Sequence, residues 1–172
     1  MDKRIKRITY IAHPINGDVM WNLDNIRGIY AIMLKEDKRV PFAPYLEGFN
    51  HLDDENESDR GLGMENNRLF FEKGYFDEMI VYGDELSEGV LMEIDWCKKY
   101  NIPFSFETTD CSRKYVMIME AKAEKAIYNE ALNLYKSDLT KKLSTTTSEF
   151  EKKHFEAKIK VLKNLIKYGD NA

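Results

Sequence analysis

Cysteine is scarce, with Cys97 and Cys111 the two thiols in 172 residues. Two thiols build neither a disulfide framework nor a four-ligand zinc site, so a cytoplasmic protein with reduced cysteines is expected. Long apolar runs are missing as well. No stretch approaches the ~18 apolar residues that suggest a membrane span. The basic start (Lys3, Arg4, Lys6, Arg7) leads into a short strand-like run broken at His13-Pro14, not into the apolar core of a signal peptide. Positive charge is not in excess: 26 Lys and Arg stand against 30 Asp and Glu, for a net charge of −4. The bulk field used in sequence-independent nucleic-acid binding is therefore lacking, and no nucleic-acid polymer is expected as a partner. No Walker A sequence and no G-x-G-x-x-G occurs, which argues against a P-loop or dinucleotide fingerprint. No cofactor is expected. His51, Asp53 and Asp54 share one acidic loop without the spacing of a metal site, and no metal is expected.

A hydrophobic fraction of 43% with 12% aromatics is enough to pack a core of about one domain. All four prolines and eight of the nine glycines precede residue 110. In that part, strand-type and helix-type segments alternate. Residues 7–12 (R-I-T-Y-I-A) form a buried strand pattern, and residues 22–34 place apolar side chains at helical spacing. Residues 39–45 read as a second strand and 47–60 as a long polar loop, of the kind that is often functional. Residues 62–73 suggest a helix closed by Gly74, 76–82 a third strand, 90–100 a third helix, and Phe104-Ser105-Phe106 a fourth strand. This β-α alternation predicts an α/β fold with an open, doubly wound parallel sheet, Rossmann- or flavodoxin-like, of about four or five strands.

The composition then shifts to Ala, Lys, Glu and Leu. Two helices are expected over 117–136 and 148–168, with Ser148 and Glu151 spaced as a capping box. The expected division is an α/β domain over 1–110 and a helical hairpin over 111–172. The hairpin would pack on the domain or form a contact in a homo-oligomer.

In open α/β sheets the ligand crevice lies beyond the carboxyl ends of the strands. This selects the loops at 12–18, 45–60, 82–89 and 107–113. Two of them carry informative residues. In the first, Ala12 and Gly17 are small enough for close approach to a ligand, and His13 stands at the strand end. In the third, Ser87 can cap a helix whose free N–H groups favour an anion or polar ligand, and Gly89 permits close approach. Glu93 follows about one turn into that helix, between Met92 and Ile94. Two readings stay open for it: a costly buried carboxylate held by partners, or a solvated glutamate complementing the helix dipole.

Three segments together resemble a known family. Tyr10-Ile11-Ala12-His13-Pro14 resembles the first-strand Tyr-x-Ala-x-Pro of the nucleoside 2-deoxyribosyltransferase superfamily. Ser87-x-Gly89-x-x-x-Glu93-Ile94 resembles its Asp/Ser-x-Gly-x-x-x-Glu motif, and Pro41-Phe42-Ala43-Pro44-Tyr45 is similar to the second strand of its small phage and bacterial relatives. The likeness spans roughly residues 7–107. It implies cleavage or transfer of the N-glycosidic bond of a nucleoside or nucleotide through a glutamate nucleophile. Glu93 would attack, Tyr10 would orient it, and Asp84 is the nearest strand-end acid. The first loop (Ala12, His13, Pro14, Asn16, Gly17 and Asp18) would bind substrate with Tyr45. Ser87 and Gly89 would hold the sugar or a 5′-phosphate. The family places an acid on the helix before the third strand, where this chain has Asn66-Asn67-Arg68-Leu69-Phe70-Phe71. That substitution makes a binding protein for a nucleotide or nucleotide-derived signal the alternative.

Overall fold

The computed structural model describes residues 6–53 and 56–170. Residues 1–5, which carry Lys3 and Arg4 of the basic start, and Asp54 lie outside the described residues.

The elements run β1 (Arg7–Ala12), α1 (Val19–Leu34), β2 (Arg39–Phe42), α2 (Tyr45–Phe49), α3 (Glu57–Glu72), β3 (Glu78–Val81), α4 (Glu88–Tyr100), β4 (Phe104–Phe106), α5 (Thr109–Thr145) and α6 (Glu149–Asp170). The four strands form one all-parallel sheet in the order β2-β1-β3-β4. The chain moves from β1 to β2 in one direction and then crosses to β3 and β4 in the other. Right-handed crossovers therefore place helices on both faces. Side-chain alternation along β1 agrees. Tyr10 and Ala12 pack with Met79, Val81, Phe71 of α3 and Val90, Ile94 and Cys97 of α4. Ile11 packs on the opposite face with Leu23, Ile26 and Met33 of α1. The strand order reverses at β1 and β3, whose carboxyl ends open the crevice.

At the other end of the sheet Glu78 ties three strands together. It accepts from Arg7 Nη1 at 3.1 Å, Arg39 Nε at 3.0 Å and Thr9 Oγ1 at 2.9 Å. Burial alone would raise its pKa, but the Arg39, Thr9 and Arg7 bonds outweigh that and hold it below the ordinary carboxylate value.

Element order follows the sequence pattern except for the short helix α2, which the pattern does not predict, and several boundaries differ. α1 begins at Val19 rather than residue 22. Asp18 accepts from Trp21 N at 3.2 Å as its N-cap, and the first turn shows no apolar stripe because Met20 and Trp21 are exposed. The polar stretch 47–60 is partly helical: it holds most of α2 and the first turn of α3, which Asn56 caps. β2 ends at Phe42, and its Pro41 is tolerated because β2 is an edge strand. Gly74 follows α3 at φ +62°, the left-handed closure expected of it.

Residues 143–145 continue α5 instead of forming a connection. The Ser144 and Thr145 hydroxyls donate to Lys141 O of the previous turn, which makes these residues compatible with helix. At α6, Glu151 N donates to Ser148 Oγ at 3.4 Å, but the Glu151 carboxylate accepts from Thr146 Oγ1, so the reciprocal half of the capping box does not form. The chain divides into two compact units, 1–115 and 116–172, with the boundary inside α5. In the second unit Leu139 and Leu162 are buried.

Candidate functional site

Ser87 starts α4 with its Oγ accepting from Val90 N at 3.3 Å. From there Val90, Glu93, Ile94 and Cys97 fall at helical spacing on the buried face. The spacing that packs the helix on the sheet thus carries the Glu93 carboxylate into the core side, where the residue is 8% exposed. Tyr10 meets it from β1. Its fully buried ring is packed by Phe71 and Phe76, each at a centroid distance of 5.0 Å, and by Tyr45 at 5.9 Å. Asn67 arrives from α3, one turn before Phe71 and on the same buried face.

These three side chains form one hydrogen-bonded cluster. Tyr10 O–H donates to Glu93 Oε1 at 2.6 Å. Asn67 Nδ2 donates to the same oxygen at 3.0 Å and to the Tyr10 oxygen at 2.6 Å. Glu93 Oε1 is thus held by two donors from two other elements. Burial pushes the Glu93 carboxyl up to about 7, and the Tyr10 and Asn67 bonds restrain that rise by favouring the charged form. Burial, and then the nearby Glu93 charge, raise the Tyr10 and Tyr45 hydroxyls well above the tyrosine range, so both stay protonated donors. Tyr45 uses its O–H on Ile11 O at 2.7 Å. The Cys97 thiol on the same helix is pushed up to about 12 by burial and by Glu93, which makes it a packing group rather than a nucleophile.

Glu93 opens onto a cavity of about 560 Å³, within the range of small-molecule sites. His13 and Asn16 of the first loop, Tyr45, and Ser87 and Gly89 at the head of α4 line it with Glu93. Phe49, Phe70 and Tyr75 supply aromatic surface. Its charged lining is Asp59, Arg60, Lys73 and Glu93, formally two acids and two bases. Arg68 stands apart from it, paired with Glu72 at 2.8 Å.

Of the residues the sequence singles out, His13, Asn16, Tyr45, Ser87, Gly89 and Glu93 share this cavity, with Tyr10 directly behind Glu93. Five others do not line it. Ala12 is a core residue beneath it, and Gly17 adopts φ +96° in the loop. Asp18 is spent as the cap of α1. Pro14 and Asp84 line a second cavity of about 970 Å³ whose walls include Ile29 and Met33 of α1. Lys114 Nζ donates to the Asp84 carbonyl oxygen. Gly83 turns the chain there at φ +90°, with His13 Nε2 and Pro14 Cδ each 3.4 Å from where a Cβ would stand. A side chain at this position would crowd the first loop as well as strain the backbone.

Asn67 is the site residue that the sequence reading misses. The available signal is a polar residue one turn before Phe71, on a helix face that is otherwise buried. The aromatic walls Phe49 and Phe70 and the basic Lys73 become visible only once α2 and α3 are in place. Among the described residues, no group of three or more His, Cys, Asp or Glu is placed to hold a metal ion. His51 is paired with Glu47 at 3.4 Å. No helix among the described residues is long and apolar enough to cross a membrane.

The family profile described as "Domain of unknown function (DUF7768)" matches residues 7–107, and the chain belongs to that family. The matched span contains all four strands and every residue of the Glu93 cavity. No curated protein and no solved structure matches the chain.

Proposed function

We propose that this domain cleaves or transfers the N-glycosidic bond of a nucleoside or nucleotide, with Glu93 as the nucleophile. The observation that carries the proposal is the state of that carboxylate. One oxygen is fixed by Tyr10 and Asn67, and the other has no hydrogen-bond partner among the described residues, beside a cavity of ligand size. A structural carboxylate buried to this degree normally has both oxygens satisfied. A nucleophile needs one oxygen held and the other available. The resemblance of the Tyr10 and Ser87–Glu93 segments to the deoxyribosyltransferase motifs supports the same reading.

In this scheme Glu93 Oε2 attacks C1′ of the sugar. The C1′–N bond breaks and its electron pair leaves with the base, giving a glycosyl ester on Glu93 through an oxocarbenium-like transition state. His13, on the cavity wall, takes the general-acid role toward the departing base in this scheme. Water or a second base then takes the sugar from the ester and frees the carboxylate. Ser87, Gly89 and the first N–H groups of α4 suit the sugar hydroxyls or a phosphate. Arg60 and Lys73 give a 5′-phosphate two cations in the same cavity. The aromatic walls offer stacking surface to a base.

A binding protein on the same site is the second reading. It is favoured by the amide of Asn67 standing in the helix where the transferases place an acid. One experiment separates the two. The protein is incubated with pooled nucleosides, nucleoside 5′-monophosphates and NAD derivatives, and free base and bound ligand are both read by mass spectrometry. Base release that disappears in Glu93→Gln supports the enzyme. Retention of a ligand without release supports the binder. Neither outcome for any compound overturns both.

A further inference from the structure

We infer that Asn67 selects ribosyl over 2-deoxyribosyl ligands, its Oδ1 accepting the 2′-hydroxyl of the sugar; this rests on the reading of Glu93 given above. Asn67 is 6% exposed and lines the cavity, yet its Oδ1 is buried with no hydrogen-bond partner among the described residues. The orientation of the amide is dictated by its neighbour. Tyr10 gives its one proton to Glu93, so the amide group 2.6 Å from the Tyr10 oxygen must be the N–H donor, and the carbonyl end is the one left without a partner. A buried carbonyl left without a donor is an uncommon and costly state in a folded protein. Nearby hydroxyls do not relieve it: Tyr10 gives its proton to Glu93, and Tyr45 gives its proton to Ile11 O. The missing donor therefore comes from the ligand.

The position of that donor narrows its identity. Asn67 Nδ2 is 3.0 Å from the carboxylate oxygen of Glu93, so the amide stands beside the carboxylate that bonds C1′. On a nucleoside, the carbon next to C1′ carries the 2′-hydroxyl in a ribosyl group and no donor in a 2-deoxyribosyl group. A site built around a ligand hydroxyl rejects the analogue lacking it far more strongly than a merely tight apolar pocket would.

The test compares kcat/KM for adenosine with 2′-deoxyadenosine, and for uridine with 2′-deoxyuridine, in wild type and in Asn67→Ala. The two sugars differ in intrinsic reactivity, but this difference cancels when the effect of the substitution on one series is divided by its effect on the other. The loss of the Asn67 N–H bonds to Tyr10 and Glu93 is also common to both series. The expected result is a loss on the ribonucleosides at least ~10-fold larger than on the 2′-deoxynucleosides, from the unpaired-acceptor effect. Asn67→Leu fills nearly the same volume and gives the same differential if Asn67→Ala does not fold. Equal losses on the two series overturn the assignment of Asn67 and leave the glycosidic reading standing. No base release from any of the four compounds by wild type overturns the glycosidic reading itself.

Discussion

Replacing Glu93 by Gln should stabilise the protein increasingly as the pH rises, even though it removes the proposed nucleophile. Burial moves the Glu93 carboxyl from 4.5 to about 7. The folded chain therefore holds the Glu93 proton more tightly than the unfolded chain does. Its contribution to stability is fully present below 4.5 and is lost progressively as the pH rises through about 7. At ~1.4 kcal/mol per pKa unit the total loss is about 3 kcal/mol, a large share of the ~5–15 kcal/mol that holds a domain folded. The substitution keeps the side-chain shape and an oxygen that can accept from Tyr10 and Asn67, but it cannot ionise. The stability difference between variant and wild type should therefore grow by about 3 kcal/mol between pH ~4.5 and pH ~8. Urea titrations followed by tryptophan fluorescence measure it, because Trp96 packs against Phe71 in the same core. A difference that stays constant across this range would refute the claim that Glu93 is a desolvated carboxylate.

Three further outcomes follow from the geometry. Tyr10→Phe removes a donor that favours ionised Glu93, so the acid limb of base release should move to higher pH; an unmoved pH–rate profile would contradict the hydrogen bond. Ser87→Ala removes the N-cap of α4 and should cost about 1 kcal/mol in urea unfolding, with no change if the cap is immaterial. Glu78→Gln breaks ion pairs with Arg7 and Arg39 and should cost about 1–3 kcal/mol at neutral pH. Because the Glu78 pKa is depressed, its stabilisation is present above the ordinary carboxylate value and lost as the pH falls below it. The stability gap between wild type and variant should close on acidification, and a pH-independent gap would be inconsistent with the ionic role.

The α/β order is legible in the sequence because apolar spacing changes period from one segment to the next. β1 is visible in full because Tyr10, Ile11 and Ala12 are buried on both faces of a central parallel strand. Helix starts are less legible. The first turns of α1 and α3 are capped by Asp18 and Asn56 but largely exposed, so neither the apolar Val19-Met20-Trp21 of α1 nor the polar start of α3 extends the buried stripe that marks its helix. Within the site, Glu93 is ambiguous in sequence because Met92 and Ile94 are equally consistent with a half-exposed turn. Only the docking of α4 on the sheet resolves it. Asp84 looks well placed at a strand end, yet the chain turns at Gly83 and leaves it on the other cavity. Asn67 is hidden in a polar pair with Asn66, and its role depends on α3 meeting α4 across Tyr10.

The most direct test of the account is the covalent intermediate itself. Wild-type protein incubated with pooled nucleosides and nucleoside 5′-monophosphates, quenched in acid and weighed intact, should gain the mass of one pentosyl or phosphopentosyl group. Peptide mapping should place that group on Glu93, and Glu93→Gln should show no gain. Base release with the sugar on another residue, or with no adduct on rapid quenching, would contradict the assignment of Glu93 as the nucleophile.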